Sequence, residues 1–233
     1  MKMKVAQCWD DGIENDIRVI DILRRHGAKA TFNLNPGLMN PDKRGWSGWR
    51  KQGEGEYNHN FGFSSGKLCH RDIPEVYAGF ELASHCWRHE NAGSIPDEEW
   101  IKSALDARHF LEDIVQKPCR GFAWPCGIYT DGTIAKLREN GFAYGRTTQN
   151  TYDVTQCAEP LALASNCHFK APDFWQRYSK AKECGVFYFW GHSYELFRDN
   201  EMWDNFERMI KYISEDPDAE WVNVIDIVPL LKG

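Results

Sequence analysis

No apolar run in these 233 residues approaches the roughly 20 needed to cross a bilayer, so no segment reads as a membrane span. Nor does an apolar stretch of signal-peptide length follow Met1-Lys2-Met3-Lys4, and a mature cytoplasmic protein is expected. The 8 cysteines include no Cys-x-x-Cys pair and show no regular spacing, so most are read as reduced core residues. Cys8 and Cys86 are read the same way, as small packing groups. The 28 lysines and arginines are scattered among 34 acids, for a net charge of −6, which argues against a nucleic-acid partner. Internal repeats and low-complexity tracts are also missing. What remains is a chain with 42% hydrophobic residues, enough for a sizeable core, and of a length that suits one domain over 1–233.

Strand-like and helix-like stretches alternate. Lys4–Trp9, Lys29–Leu34, Phe80–Ser84, Gly121–Trp124, Ala143–Thr147, Leu161–Ala164, Val186–Trp190 and Trp221–Val224 read as strands. Between them Glu14–His26 carries Ile17, Ile20 and Leu23 at helical spacing and stops at Gly27. Ile73–Gly79, Asp131–Asn140, Asp173–Glu183 and Glu201–Ser214 also read as helices. Ser94 is a candidate cap for a helix from Pro96 to Val115, with Asp97, Glu98 and Glu99 in its first turn. Such alternation implies a parallel sheet and an α/β fold.

The chemistry-bearing residues follow strands. Asp10-Asp11-Gly12 ends the first, Ser84-His85-Cys86-Trp87-Arg88-His89 ends the third, and Gly191-His192-Ser193 ends a late one. In a β/α barrel that rim carries the active site. Two histidines separated by three residues can meet one cation, and an aspartate can complete a three-ligand site with room for water. A second aspartate and a distant histidine are then left as base and acid, the parts that metal-assisted hydrolysis needs. Zinc suits two histidines and one aspartate, and manganese, cobalt, nickel or iron fit the same donors.

In order and spacing these motifs resemble those of the polysaccharide deacetylase family, carbohydrate esterase family 4. Trp9-Asp10-Asp11-Gly12 matches its first motif, Ser84 to His89 its second, and Phe189-Trp190-Gly191-His192 its last; Ala30-Thr31-Phe32-Asn33-Leu34 matches an intervening strand. The likeness spans about Lys4 to Asp226. It implies a distorted (β/α) barrel of about seven parallel strands and one divalent metal on Asp11, His85 and His89. It also implies Asp10 as general base, His192 as general acid, and an acetylated carbohydrate as substrate. A backbone N–H near Gly127 or Tyr129 is a candidate for helping to hold the oxyanion.

Two departures stand out. The family's third motif usually reads Arg-x-Pro-aromatic-Gly, its Arg pairing with the base, and here the segment is Ala123-Trp124-Pro125-Cys126-Gly127. Arg146, after a neighbouring strand, is the candidate substitute and a candidate substrate contact. The carboxylate that should orient His192 is open among Asp173, Glu195 and Asp226. The missing arginine and the expected cytoplasmic location favour an alternative, a metal-dependent amidase acting on a small or cyclic amide. A non-catalytic sugar-binding barrel is a third reading, opposed by retention of all five site residues.

The segment over 35–70 breaks the rhythm. It is rich in Gly, Asn, Pro and Ser with interspersed aromatics, and a long loop of that kind after a strand is read as a substrate-side insertion. Indole and phenol rings stack on sugar faces, which makes Trp46, Trp49, Trp124 and Tyr194 the candidate sugar contacts; Trp190, Trp203 and Trp221 fit core positions.

Overall fold

β1 (Met3–Asp10) is buried along nearly its whole length, as the centre of a parallel sheet must be. The computed structural model of the protein describes residues 2–49, 63–197 and 200–232. After β1 come α1 (Asp16–Arg25), β2 (Thr31–Leu34), the antiparallel pair β3 (Gly48–Trp49) and β4 (Phe63–Ser64), α2 (Ile73–Val76), β5 (Glu81–Ser84) and α3 (Asp97–Val115). β6 (Gly121–Ala123), α4 (Asp131–Glu139), β7 (Tyr144–Asn150), β8 (Leu163–Ser165), β9 (Cys167–His168), α5 (Phe174–Cys184), β10 (Val186–Gly191), α6 (Asn200–Glu215) and β11 (Ala219–Trp221) follow. Among the described residues no helix is long and apolar enough to cross a membrane.

The main sheet has nine strands, in the order β8-β7-β6-β5-β2-β1-β10-β9, with β11 beside β1, and every pairing in it is parallel. β8 and β9 are two halves of one bent stave. β8 pairs with β7, β9 pairs with β10, and only Asn166 lies between them. Asn166 makes the join: its N–H donates to Tyr188 O at 2.6 Å, and its Oδ1 accepts from Tyr188 N–H at 2.7 Å. β11 occupies the edge of β1 at Met3–Val5, below the stretch Cys8–Asp10 that β2 takes. The result is a nearly closed barrel of seven staves, the (β/α) barrel that the motifs implied.

Local details differ from expectation where side chains found better partners. The last strand was expected over Trp221–Val224, but β11 ends at Trp221 and a 3-10 run takes Val224–Leu230. Leu161 and Ala162 belong to a 3-10 turn, and the strand begins at Leu163. Ser94 does not cap α3: Pro96 holds the cap position, and the Ser94 hydroxyl donates to Asn91 O. All 8 cysteines are unpaired, and Cys8, Cys69, Cys86, Cys119 and Cys167 are buried.

The 35–70 segment is fastened at its returning end. Leu68 N–H donates to Gly12 O at 3.0 Å, Glu14 N–H to Gly66 O at 2.8 Å, and Ile13 bridges Lys67. This end therefore lies against the Asp-Asp-Gly turn. Residues 50–62, with Tyr57 and Phe61 among them, lie outside the described residues, and so does the side chain of Trp49.

Candidate active site

Parallel pairing brings the motifs to one rim. Asp10 lies opposite Asn33, Leu34 lies opposite Ser84, and His85 N–H continues that ladder to Leu34 O at 2.9 Å. β1 and β5 are thus separated only by β2. At the rim the backbone is bent out of ordinary conformations. Asp11 has φ +84°, Cys86 +60°, His89 +62° and Cys126 +54°, four of the five non-glycine residues with positive φ among those described. Each such position costs about 1–3 kcal/mol and needs a surrounding structure that enforces it. Gly12 follows at φ +59°, a conformation that glycine adopts without strain, and a Cβ there would also have to displace the Met39 methyl group.

These turns gather Asp11, His85 and His89, whose ligand atoms lie within 4.8 Å of one another. The two imidazoles stand edge-on, 4.6 Å apart. The His85 Nδ1–H donates to Ala123 O at 2.8 Å, which leaves the Nε2 lone pair for a cation, the usual arrangement behind a metal-binding histidine. Asp11 Oδ1 accepts from Asn35 Nδ2 at 2.8 Å. The Lys67 ammonium donates to Asp11 O at 2.6 Å and to Asn35 Oδ1 at 2.8 Å. Burial would raise the Asp11 pKa, but Lys67 and the nearby histidines lower it well below the usual carboxylate range. Burial pushes His85 down to about 4, so it is neutral and available as a donor at ordinary pH. Two imidazoles and one carboxylate at this spacing form a set that fits a divalent ion.

Asp10 sits beneath, its side chain only 3% exposed. Asn33 Nδ2 donates to one of its oxygens at 2.7 Å, and Arg146 Nη2 donates to the other. Arg146 pairs in register with Ala123, directly alongside it on β7. The arginine missing from the third motif is therefore supplied one stave over at the same level, across the space that the short Ala123 side chain leaves. Its guanidinium also covers the Trp190 ring at 4.7 Å. Burial favours protonation of Asp10, but Arg146, His85 and His192 hold its pKa below the ordinary value.

His192 stands at the end of β10 with Nε2 3.7 Å from Asp10 Oδ2. Its Nδ1 faces Glu195 Oε2 at 3.3 Å, and the same oxygen accepts the His192 backbone N–H at 3.1 Å. Burial would lower the His192 pKa; the hydrogen bond to Glu195 and the charges of Asp10 and Asp11 raise it above the usual value instead. Among the three candidates Glu195 is thus the carboxylate that meets His192. Asp173 is engaged with Arg177, and Asp226 caps the last 3-10 run through Asn223 N–H.

The substrate candidates divide. Tyr194 is half-buried and stacks on His192 at 4.7 Å, and Trp46 is 57% exposed. Trp124 is corrected: it is fully buried, stacked on Trp100 at 5.1 Å, and its indole N–H donates to Leu161 O, so no face of it is open to a ligand. The Arg146 side chain is only 1% exposed and turned to Asp10, so its place is in the ion pair rather than at a substrate. Gly127 N–H is taken by Trp124 O at 2.9 Å, which leaves the Tyr129 N–H as the oxyanion candidate. The sequence reading passed over Asn33, Asn35, Lys67 and His168. Asn33 and Asn35 flank the end of β2 and could have been suspected; Lys67 lies in an irregular segment and carried no signal.

Residues 1–145 match the family model for polysaccharide deacetylase. Among solved structures, a putative polysaccharide deacetylase from Mycobacterium smegmatis is 14% identical, with 99% of this chain and 90% of that one covered at a TM-score of 0.68. A family 4 acetyl xylan esterase from Clostridium thermocellum, in complex with a cobalt ion, is 16% identical over 97% and 91% of the two chains, with a TM-score of 0.57. A CE4 family pseudoenzyme from Bacillus anthracis is 15% identical over 97% and 66%, with a TM-score of 0.58. The chain spans 55% of the length of a Streptococcus pyogenes deacetylase that it also matches, at 19% identity over 61% of this chain and a TM-score of 0.48. At these identities the likeness is one of fold. No curated protein matches the chain.

Proposed function

The chain belongs to the polysaccharide deacetylase family, and we propose that it is a metal-dependent hydrolase that removes acetyl groups, N-acetyl in preference to O-acetyl, from a carbohydrate. The observation that carries this reading is the convergence of Asp11, His85 and His89 beside Asp10, which is ion-paired with Arg146, and His192, which is hydrogen-bonded to Glu195. In this reading 1–233 is one catalytic domain. A divalent ion, zinc by preference, held by Asp11, His85 and His89 supplies Lewis acidity toward the acetyl carbonyl oxygen. The cobalt-bound relative of the same fold supports a divalent ion without deciding which.

The remaining work belongs to the chain's own residues. Asp10, kept ionised by Arg146, takes a proton from the attacking water as the water oxygen bonds to the carbonyl carbon. The Tyr129 N–H is a candidate to share the charge that develops on the carbonyl oxygen. His192 gives its Nε2 proton to the departing nitrogen or oxygen while Glu195 holds Nδ1–H, and acetate and the free amine or alcohol leave. An amine departs only once protonated. An acid held charged by Glu195, Asp10 and Asp11 therefore favours the amide as substrate. Trp46 and Tyr194 are the proposed sugar contacts, with Trp49 as a further candidate from the loop.

The amidase reading drew its support from the missing arginine and from the expected cytoplasmic location, and Arg146 removes the first of these by supplying that charge from the next stave. The experiment is a metal analysis of the purified protein coupled to an acetate-release screen over N- and O-acetylated oligosaccharides. One equivalent of metal with acetate released from an N-acetylated sugar is the expected result. Turnover of small cyclic amides without acetate release from any sugar would replace this reading with the amidase.

A further inference from the structure

A second group with the same kinds of donors lies at the acid's side of the rim. The ligand atoms of His168, His192 and Glu195, like those of Asp11, His85 and His89, all lie within 4.8 Å of one another. His168 ends β9 and is half-buried, its ring edge-on to Trp190 at 4.8 Å and tilted against Phe169 at 4.9 Å. The hydrogen bonds fix what this group is for. The Lys170 backbone N–H points at His168 Nδ1 at 3.2 Å, and an N–H can only donate, so Nδ1 accepts. Neutral His168 then carries its hydrogen on Nε2 and gives it to Glu195 Oε2 at 2.8 Å. A ring nitrogen that bears hydrogen has no lone pair for a cation. This group is arranged to hold a carboxylate.

We propose that His168 is a positioning residue for His192, acting through Glu195. The inference rests on the reading of His192 as the acid. Glu195 Oε2 accepts three hydrogen bonds, from His168 Nε2, His192 N and His192 Nδ1, while Lys170 Nζ lies 3.5 Å from Oε1. Glu195 is in the turn that follows β10, three residues from the histidine it orients, and within that turn its carboxylate closes a capping box on the His192 N–H. The anchor from a second stave removes its freedom to swing. With Oε2 pinned, neutral His192 keeps its hydrogen on Nδ1 and presents Nε2 toward Asp10 Oδ2, the direction from which the leaving group needs its proton. The other groups that face His192 cannot replace the anchor. Asp10 and Asp11 lie on the reacting side, Arg146 is committed to Asp10, and Tyr194 covers one face of the ring.

The test reads tautomers first and needs no substrate. In the full chain labelled with 15N-histidine, at a pH where both rings are neutral, His168 should be the Nε2–H tautomer and His192 the Nδ1–H tautomer. His168 found as Nδ1–H in the unmutated protein would overturn the proposal without recourse to any variant. His168→Gln keeps an N–H donor at that reach and should preserve the His192 tautomer. His168→Leu should give a mixed His192 population. Its kcat should fall about 10-fold with KM unchanged, and the Gln variant should recover most of that loss. A single His192 tautomer and full kcat in the Leu variant would overturn the inference while leaving the deacetylase reading intact. Mixed tautomers in a protein that releases no acetate from any substrate would sink the deacetylase reading and leave the coupling standing.

Discussion

The Asp11–His85–His89 group and the Glu195–His168–His192 group use the same donors, two imidazoles and a carboxylate, on the same rim. What separates them is the far nitrogen of one ring in each. His85 turns Nδ1–H toward a carbonyl, Ala123 O, so its Nε2 faces the group as a lone pair. His168 turns Nδ1 toward an N–H, that of Lys170, so its Nε2 faces the group as a donor. One backbone partner leaves the lone pair that a cation seat needs, and the other leaves the donor that a carboxylate clamp needs. The identity of clustered side chains therefore does not settle whether they hold metal or manage protons; the polarity of the next hydrogen bond does.

The sharpest way to break the comparison is to remove an imidazole from the first group. His85→Ala or His89→Ala should lose stoichiometric metal, by elemental analysis, and acetate release with it. Full retention of metal in both variants would dissolve the distinction between the groups. The next effect in size belongs to the proton-handling pair. Asp10→Asn and His192→Ala should keep the metal while kcat falls about 10²- to 10⁴-fold. Loss of metal in Asp10→Asn, with chemistry restored on reloading, would exchange the roles of the two aspartates. Asn35→Ala, which removes the donor to Asp11 Oδ1, should weaken metal binding about 10- to 100-fold by calorimetry and leave kcat at saturating metal nearly unchanged. An equal fall in kcat would mean that Asn35 touches the reaction.

The smallest effect concerns pH. The His192 pKa is raised, so the acid form persists above the usual histidine range and activity should decline only as pH rises through that raised value. Glu195→Gln removes the hydrogen-bonded negative charge that raises it. The alkaline limb of the kcat–pH profile should then move to lower pH, with metal content unchanged. An unmoved limb would mean that the limb reports some other group.

Much of this was legible before any fold was known. Alternation of strand and helix patterns implied a parallel sheet, because strands buried on both faces need helices to cover them, and the resemblance to the family narrowed that sheet to a barrel. Asp10, Asp11, His85, His89 and His192 were visible because each follows a strand, and parallel strands deliver their ends to a single rim. The aromatic candidates were less legible. Trp124 has the composition of a sugar contact and the environment of a core residue, stacked on Trp100, and nothing local to it distinguishes the two. His168 was invisible because it sits in a two-residue strand with no periodicity to reveal it.

The amino-acid sequence by itself thus determined the alternating α/β order, the strand ends that carry the acids and histidines, and the likeness to a family whose fold is a barrel, since those are matters of order and spacing along one chain. Only the tertiary structure decided that Arg146 replaces the absent arginine, that Glu195 rather than Asp173 or Asp226 meets His192, and that His168 stands behind Glu195. The first and third are contacts between staves far apart in sequence, and the second is made within one turn whose conformation residue types alone do not give. Their identity depends on strand register and on which backbone group each side chain meets, and a hydrogen bond of about 3 Å is decided by such placement rather than by residue type.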